Sequence, residues 1–126
     1  MEKLNEKKKI LLVDDDEMCL GIAKQILETE YEVISVKSGK EALKLILQEL
    51  VPDLILLDIL MPNMDGWETF TRLKNIVFLQ KVPIAFGTSL DAEEDEKRAH
   101  ELGAVDFIKK PYTKGDLLKR VATLIK

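Results

Sequence analysis

The sequence predicts a doubly wound α/β domain: a five-stranded parallel sheet with helices on both faces. Three observations carry that expectation. Short apolar runs alternate five times with longer stretches of helical spacing. Two of the runs, ILLV at Ile10–Val13 and LILL at Leu54–Leu57, are apolar at every position, as suits central strands covered on both faces. Helix-start signals, a Ser, Asp or Thr followed three residues later by an acid, fall after the runs and not within them.

Taken in order, residues 1–9 (MEKLNEKKK) are a solvated, frayed leader, which leaves 10–126 as one domain of ordinary size. The first strand is Ile10–Val13. Cys19, Ile22, Ala23, Ile26 and Leu27 then fall on one face of a helix. The second strand is Tyr31–Val36, and Ser38 with Glu41 forms a capping box that opens a helix over Glu41–Glu49. The third strand is Asp53–Leu57, and Asp65 with Glu68 opens Trp67–Lys74. The fourth is Pro83–Phe86, with proline at its start, where no ladder bond is lost. Asp91 with Glu94 opens an acidic helix through Glu101, and Gly103 stops it. The fifth strand is Asp106–Ile108. Thr113 with Asp116 opens the last helix, whose Leu117, Val121, Leu124 and Ile125 share a face.

Composition removes several functions. A net charge of −4 offers no long-range attraction for nucleic acid, so direct nucleic-acid binding is not expected. One cysteine, Cys19, precludes an internal disulfide, and one histidine, His100, precludes a zinc site of the usual Cys/His kind. No run reaches the length of a signal peptide or a membrane span, so no membrane partner is expected and a cytoplasmic location is the default.

Doubly wound sheets place their working groups at the carboxyl ends of the strands. Here strand one ends in Asp14, Asp15 and Asp16, strand three in Asp58, strand four in Thr88 and Ser89, and strand five in Lys109 and Lys110. Carboxylates, hydroxyls and an ammonium thus meet at one edge. One aspartate suffices to cap the first helix, and Asp16 is assigned that role. Asp14, Asp15 and Asp58 together call for a hard cation, and magnesium suits an open carboxylate site with room for water and a phosphate oxygen. Asp58 can attack phosphorus to form an aspartyl phosphate. Lys110 can then offer a point charge, and Thr88 a hydroxyl, to the transferred oxygens. Lys109 faces the opposite side of its strand and reads as a solvated lysine.

These residues, in this order, resemble the receiver domain of two-component response regulators. The likeness runs from Ile10 to the C-terminus. It rests on Asp14 and Asp15 after the first strand, the acceptor loop DILMPNMDG from Asp58 to Gly66, Thr88 followed by Ser89, and the pair Lys110–Pro111. It implies a flavodoxin-like strand order, 2-1-3-4-5. It implies a phosphorylation-dependent signalling switch and not an enzyme, with Mg2+ as cofactor. A sensor histidine kinase or a phosphotransfer protein would donate to Asp58, and small donors such as acetyl phosphate can often substitute. The backbone carbonyl of Leu60 would complete the metal shell. Thr88 would move toward the phosphoryl group and an aromatic on strand five, Phe107, would turn inward behind it. The last helix–strand–helix face would then change its affinity for a downstream effector or output domain, and dimerisation through that face on phosphorylation is compatible with the family.

Three positions depart from the family pattern. Phe107 stands where many members have tyrosine. Gly87 precedes Thr88 where a larger apolar residue is usual, and glycine there is expected to loosen the backbone and ease the Thr88 shift. Leu60 and Leu90 are both apolar, and are expected to limit attacking water and slow self-dephosphorylation. The strongest rival is a haloacid-dehalogenase-type phosphatase with Asp14 as nucleophile; its motif breaks at Met18, and such enzymes carry a cap and a longer core. Cys19 reads as packing, His100 as a surface side chain and Trp67 as half-buried.

Overall fold

The computed structural model describes residues 7–90 and 92–125. Among them the chain forms five strands, β1 (Lys9–Val13), β2 (Glu32–Val36), β3 (Leu54–Leu57), β4 (Ile84–Thr88) and β5 (Asp106–Lys109). Five α-helices follow the strands in turn: α1 (Glu17–Leu27), α2 (Gly39–Leu47), α3 (Gly66–Lys74), α4 (Glu93–Leu102) and α5 (Lys114–Leu124). The sheet is parallel throughout, in the order β2-β1-β3-β4-β5. The order and the fold class are those the sequence predicts.

Alternation along each strand sorts the core into two layers. Leu11, Val13, Ile55, Leu57, Ile84 and Phe86 face α2, α3 and α4, whose Ala42, Ile46, Phe70, Leu73 and Ala99 cover them. Ile10, Leu12, Leu54, Leu56, Ala85 and Ile108 face α1 and α5, covered by Leu20, Ala23, Leu27, Leu117 and Val121. Both faces of the central strands are therefore dry, which is why ILLV and LILL carry no polar residue. Each such aliphatic side chain contributes roughly 1.5–3 kcal/mol relative to exposure.

The caps set the helix starts. Asp16 Oδ1 accepts from the Met18 and Cys19 N–H groups, Ser38 from Glu41, Asp65 from Glu68 and Thr113 from Asp116. A cap residue is followed at once by the helix, so α2 begins at Gly39 and not at Glu41, and it ends at Leu47, with Glu49 already at φ 72. The Glu41 carboxylate accepts from the Lys37 N–H, one residue outside a strict capping box. The cap expected at Asp91, and residues 1–6 of the leader, lie outside the described residues. Gly103 ends α4 at φ 102, a left-handed conformation that favours glycine.

One expectation needs correction. The buried stripe of α1 is Leu20, Ala23 and Leu27, with Cys19 and Ile26 half-buried, while Ile22 is 43% exposed. Packing against the sheet selects Leu20, which joins the α1–α5 layer in place of Ile22. A one-turn 3-10 helix at Val77–Leu79 leads into β4 and buries Leu79. At the far edge, Arg120 of α5 grips Asp106 of β5 at 3.0 Å.

Candidate functional site

Register brings the acids to one level. Val13 of β1 pairs with Leu57 of β3, so Asp14 and Asp58, the next residues, lie side by side beyond the sheet edge. Leu57 in turn pairs with Phe86 of β4, and Thr88 pairs with Lys109 of β5. Backbone bonds hold these ends in place: the Asp58 N–H donates to the Val13 carbonyl at 2.8 Å, the Asp14 N–H to Val36 at 3.1 Å and the Lys110 N–H to Thr88 at 2.9 Å.

Oxygen atoms of Asp14, Asp15 and Asp58 lie within 4.8 Å of one another. Asp14 and Asp58 are each 6% exposed, whereas Asp15 faces solvent. Lys110 reaches between the two buried acids: its Nζ is 2.6 Å from Asp14 Oδ2 and 3.5 Å from Asp58 Oδ1. Three carboxylates against one ammonium leave two negative charges uncompensated, the charge of one divalent cation. All three side-chain donors are hard oxygens, which fits magnesium and not a soft metal.

Burial pushes the Asp58 carboxyl up to about 6, helped by the Asp14 charge and opposed by Lys110 and the Ile59 N–H. Burial pulls the Lys110 ammonium down, but its bond to Asp14 and the charges of Asp58 and Asp14 outweigh that and leave it above its ordinary value. The lysine is therefore a fixed cation at neutral pH, and Asp58 is ionised above about pH 6.

Thr88 is fully buried at the end of β4, where its Oγ accepts from the Leu90 N–H at 3.2 Å. Leu60, two residues past Asp58, is 54% exposed, and with Ile59, Met61, Pro62, Trp67 and Leu90 it lines an apolar groove beside the acceptor loop. Gly66 closes that loop. A Cβ there would overlap the Asp58 carbonyl oxygen and lie 2.5 Å from Ile59 Cα, so only glycine lets α3 start this close to Asp58. Phe107 is not at the pocket; it is 7% exposed and packed within the α2–α4 layer of the core. Lys109 and His100 are exposed, and Asp16 serves as the α1 cap.

One residue escaped the sequence reading. Tyr112, in the turn after Lys110–Pro111, lines a 10 Å³ cavity with Asp14 and Asp58, room for about one water. Burial pushes its phenol up, with the Asp14 and Asp58 charges adding to the shift. Its hydroxyl occupies the space that a side chain on Gly87 would fill. Gly87 thus answers a demand for space, with ordinary strand backbone. A glycine inside an otherwise bulky buried strand was the only signal that a large side chain arrives from elsewhere.

A family model for the response regulator receiver domain matches residues 10–122. The chain is 38% identical over 122 residues to the alkaline phosphatase synthesis transcriptional regulatory protein PhoP of Bacillus subtilis, covering 94% of this chain and 49% of PhoP. It is 34% identical over 119 residues to the chemotaxis protein CheY of Halobacterium salinarum, covering 94% of this chain and 97% of CheY. Among solved structures, the signal receiver domain of a signal transduction histidine kinase from Syntrophus aciditrophicus superposes with a TM-score of 0.82 at 38% identity, covering 94% of this chain and 89% of that one. The chain spans about half the length of PhoP, and 26% of other curated relatives.

Proposed function

The chain belongs to the response regulator receiver family, and on that premise we propose that it is a signalling switch whose Asp58 accepts a phosphoryl group. The observation that carries this reading is the cluster of Asp14, Asp15 and Asp58 around the Lys110 ammonium. Receiver domains are signalling switches and not enzymes in the ordinary sense, and no helix among the described residues is long and apolar enough to cross a membrane.

Asp58 is the nucleophile. An ionised carboxylate oxygen forms a bond to phosphorus while the bond from phosphorus to the donor breaks, and the donor leaves with the electron pair. The donor is a phosphohistidine of a sensor kinase or phosphotransfer protein, or acetyl phosphate, which leaves as acetate. Asp14 and Asp15, with Asp58 and the Leu60 carbonyl, would hold Mg2+, which neutralises the charge that gathers on the phosphoryl oxygens. Lys110 sits close enough to follow a phosphoryl oxygen on Asp58. Thr88 lies on the neighbouring strand end, where its hydroxyl can give up Leu90 and donate to another oxygen. Leu60 and Leu90 flank the groove beside the acceptor and keep water from an in-line attack. The readout is a changed α4–β5–α5 surface, with Phe107 beneath it, that alters affinity for an effector or an output domain. The family match favours this reading over the phosphatase one, in which Asp14 would be the nucleophile.

Intact mass after incubation with acetyl phosphate and magnesium tests the reading. A gain of one phosphoryl group in the wild type and none in Asp58→Asn is the expected result. A gain that survives Asp58→Asn moves the chemistry to another residue.

A further inference from the structure

The end of β4, which carries Thr88, is gripped from one side by the turn that follows Lys110. The Lys110 N–H donates to the Thr88 carbonyl at 2.9 Å. Two residues on, Tyr112 returns to the same strand and seats its hydroxyl in the space left by Gly87. A Cβ built on Gly87 would overlap that hydroxyl oxygen, and would lie 3.0 Å from the ring Cζ and 3.2 Å from Leu56 Cδ1. Gly87 belongs to the side of the sheet that faces α1 and α5, and Tyr112 packs against that layer. Thr88, the next residue, is on the opposite side and fully buried. A strand cannot shift one residue without its neighbour. Whatever fills the space under Gly87 therefore sets how far Thr88 can travel.

From this we propose that Tyr112 is a positioning residue for Thr88: its hydroxyl, seated against Gly87, fixes the end of β4 and so the approach of the Thr88 hydroxyl to a phosphoryl group on Asp58. The inference rests on the reading of Asp58 and Thr88 given above. Gly87 and Tyr112 form one device, a missing side chain on the strand and an oversized one from the turn. Filling the gap from the strand side pushes β4 and Tyr112 apart. Emptying it from the turn side removes the stop.

The test is a pair of cycles on the full chain with acetyl phosphate and magnesium. Gly87→Ala is expected to slow phosphoryl acceptance about tenfold, since sub-ångström misplacement of a reacting group carries penalties of that order. Tyr112→Phe alone is expected to slow it about threefold, through a less restrained Thr88. Combined, they should lose less than the product of the two, because removing the hydroxyl leaves the contacts of 3.0 Å with Cζ and 3.2 Å with Leu56 Cδ1, which a shift of a few tenths of an ångström relieves. In a Thr88→Ala background, Tyr112→Phe should change nothing further, an outcome that general loosening of the fold does not produce. Losses that multiply, or a Tyr112→Phe effect that persists without Thr88, overturn the proposal. The NMR signals of Thr88 in the unphosphorylated protein separate the two readings. If they move in both single variants and return in the double while the wild type takes up no phosphoryl group, the positioning stands and the Asp58 reading falls. If they do not move, Tyr112 does not position Thr88, whatever the chemistry.

Discussion

The Lys110 ammonium lies 2.6 Å from Asp14 and 3.5 Å from Asp58, so the cation is held closer to Asp14 than to the proposed acceptor. Both acids are almost wholly buried. Lys110→Ala would leave them facing each other without compensation. Stripping one partner from a buried ion cluster costs on the order of 3 kcal/mol, less whatever protonation of Asp58 recovers. A clear fall in the urea midpoint at pH 7, without magnesium, is the expected result. An unchanged midpoint would show that the ammonium contributes nothing net to the fold.

Asp58 is the costly member of the cluster. Its carboxyl is raised from 3.8 to about 6, so the folded chain holds a proton that the unfolded chain has released across that interval. Stability from this group is full below about pH 4 and is lost as pH rises through about 6. At pH 7 the ionised carboxylate is a net burden. Asp58→Asn should therefore raise stability at pH 7 by roughly 1–3 kcal/mol and flatten the pH profile between 4 and 6. Urea melts of both proteins across that range check it; a less stable variant contradicts the sign.

The surplus of two negative charges suits the same pocket to a divalent cation. Millimolar magnesium should raise the melting temperature of the wild type by linkage. Asp15 is exposed, so Asp15→Asn removes a proposed metal ligand at little structural cost and should blunt the response. The decisive comparison is the melting shift on adding magnesium to each. Equal shifts in both proteins would place the ion elsewhere.

How much of this was legible in the sequence depends on the range of the interaction. ILLV, LILL and the caps at Asp16, Ser38, Asp65 and Thr113 are local signals, and each gave its element within a residue or two. The site acids were legible because charge at the end of an all-apolar strand has no structural excuse. What failed was long-range. Ile22 and Leu20 both fit a helical stripe, and only the sheet decides between them. Tyr112 carries no signal of its own in the sequence, and Gly87 reads as a flexible residue; their meeting is visible only once β4 and the turn after β5 are adjacent. The Val77–Leu79 turn is too short for any periodicity to mark it.

Leu60 and Leu90 border the groove beside Asp58, and neither offers a hydrogen-bond partner to an attacking water. Leu90→Asn should shorten the lifetime of the phosphorylated form about threefold to tenfold, since a positioned polar group assists proton transfer by factors of that order or more. Leu90→Phe should lengthen it. Loss of phosphoryl followed by intact mass gives both rates. If the lifetime ignores both changes, the leucines do not control access of water.

Trp67 of α3 reaches both the sheet and α4. Its ring packs against Phe86 at 5.0 Å with the planes tilted by 60°, and carries the Arg98 guanidinium of α4 at 4.1 Å. Helix α4 has four acids in its first turn and buries only Ala99, and this cation–π contact ties it to α3. Arg98→Ala should lower stability by about 0.5–1 kcal/mol and shift Trp67 emission to the red as the ring meets water. Phe86 lies two residues before Thr88, so movement of Thr88 is felt at the same ring. Phosphorylation should therefore change Trp67 emission in the wild type, and change it less in Arg98→Ala, where the α4 side of the stack is already gone. Emission spectra before and after acetyl phosphate, in both proteins, decide the matter: equal responses would detach Trp67 and Arg98 from the switch.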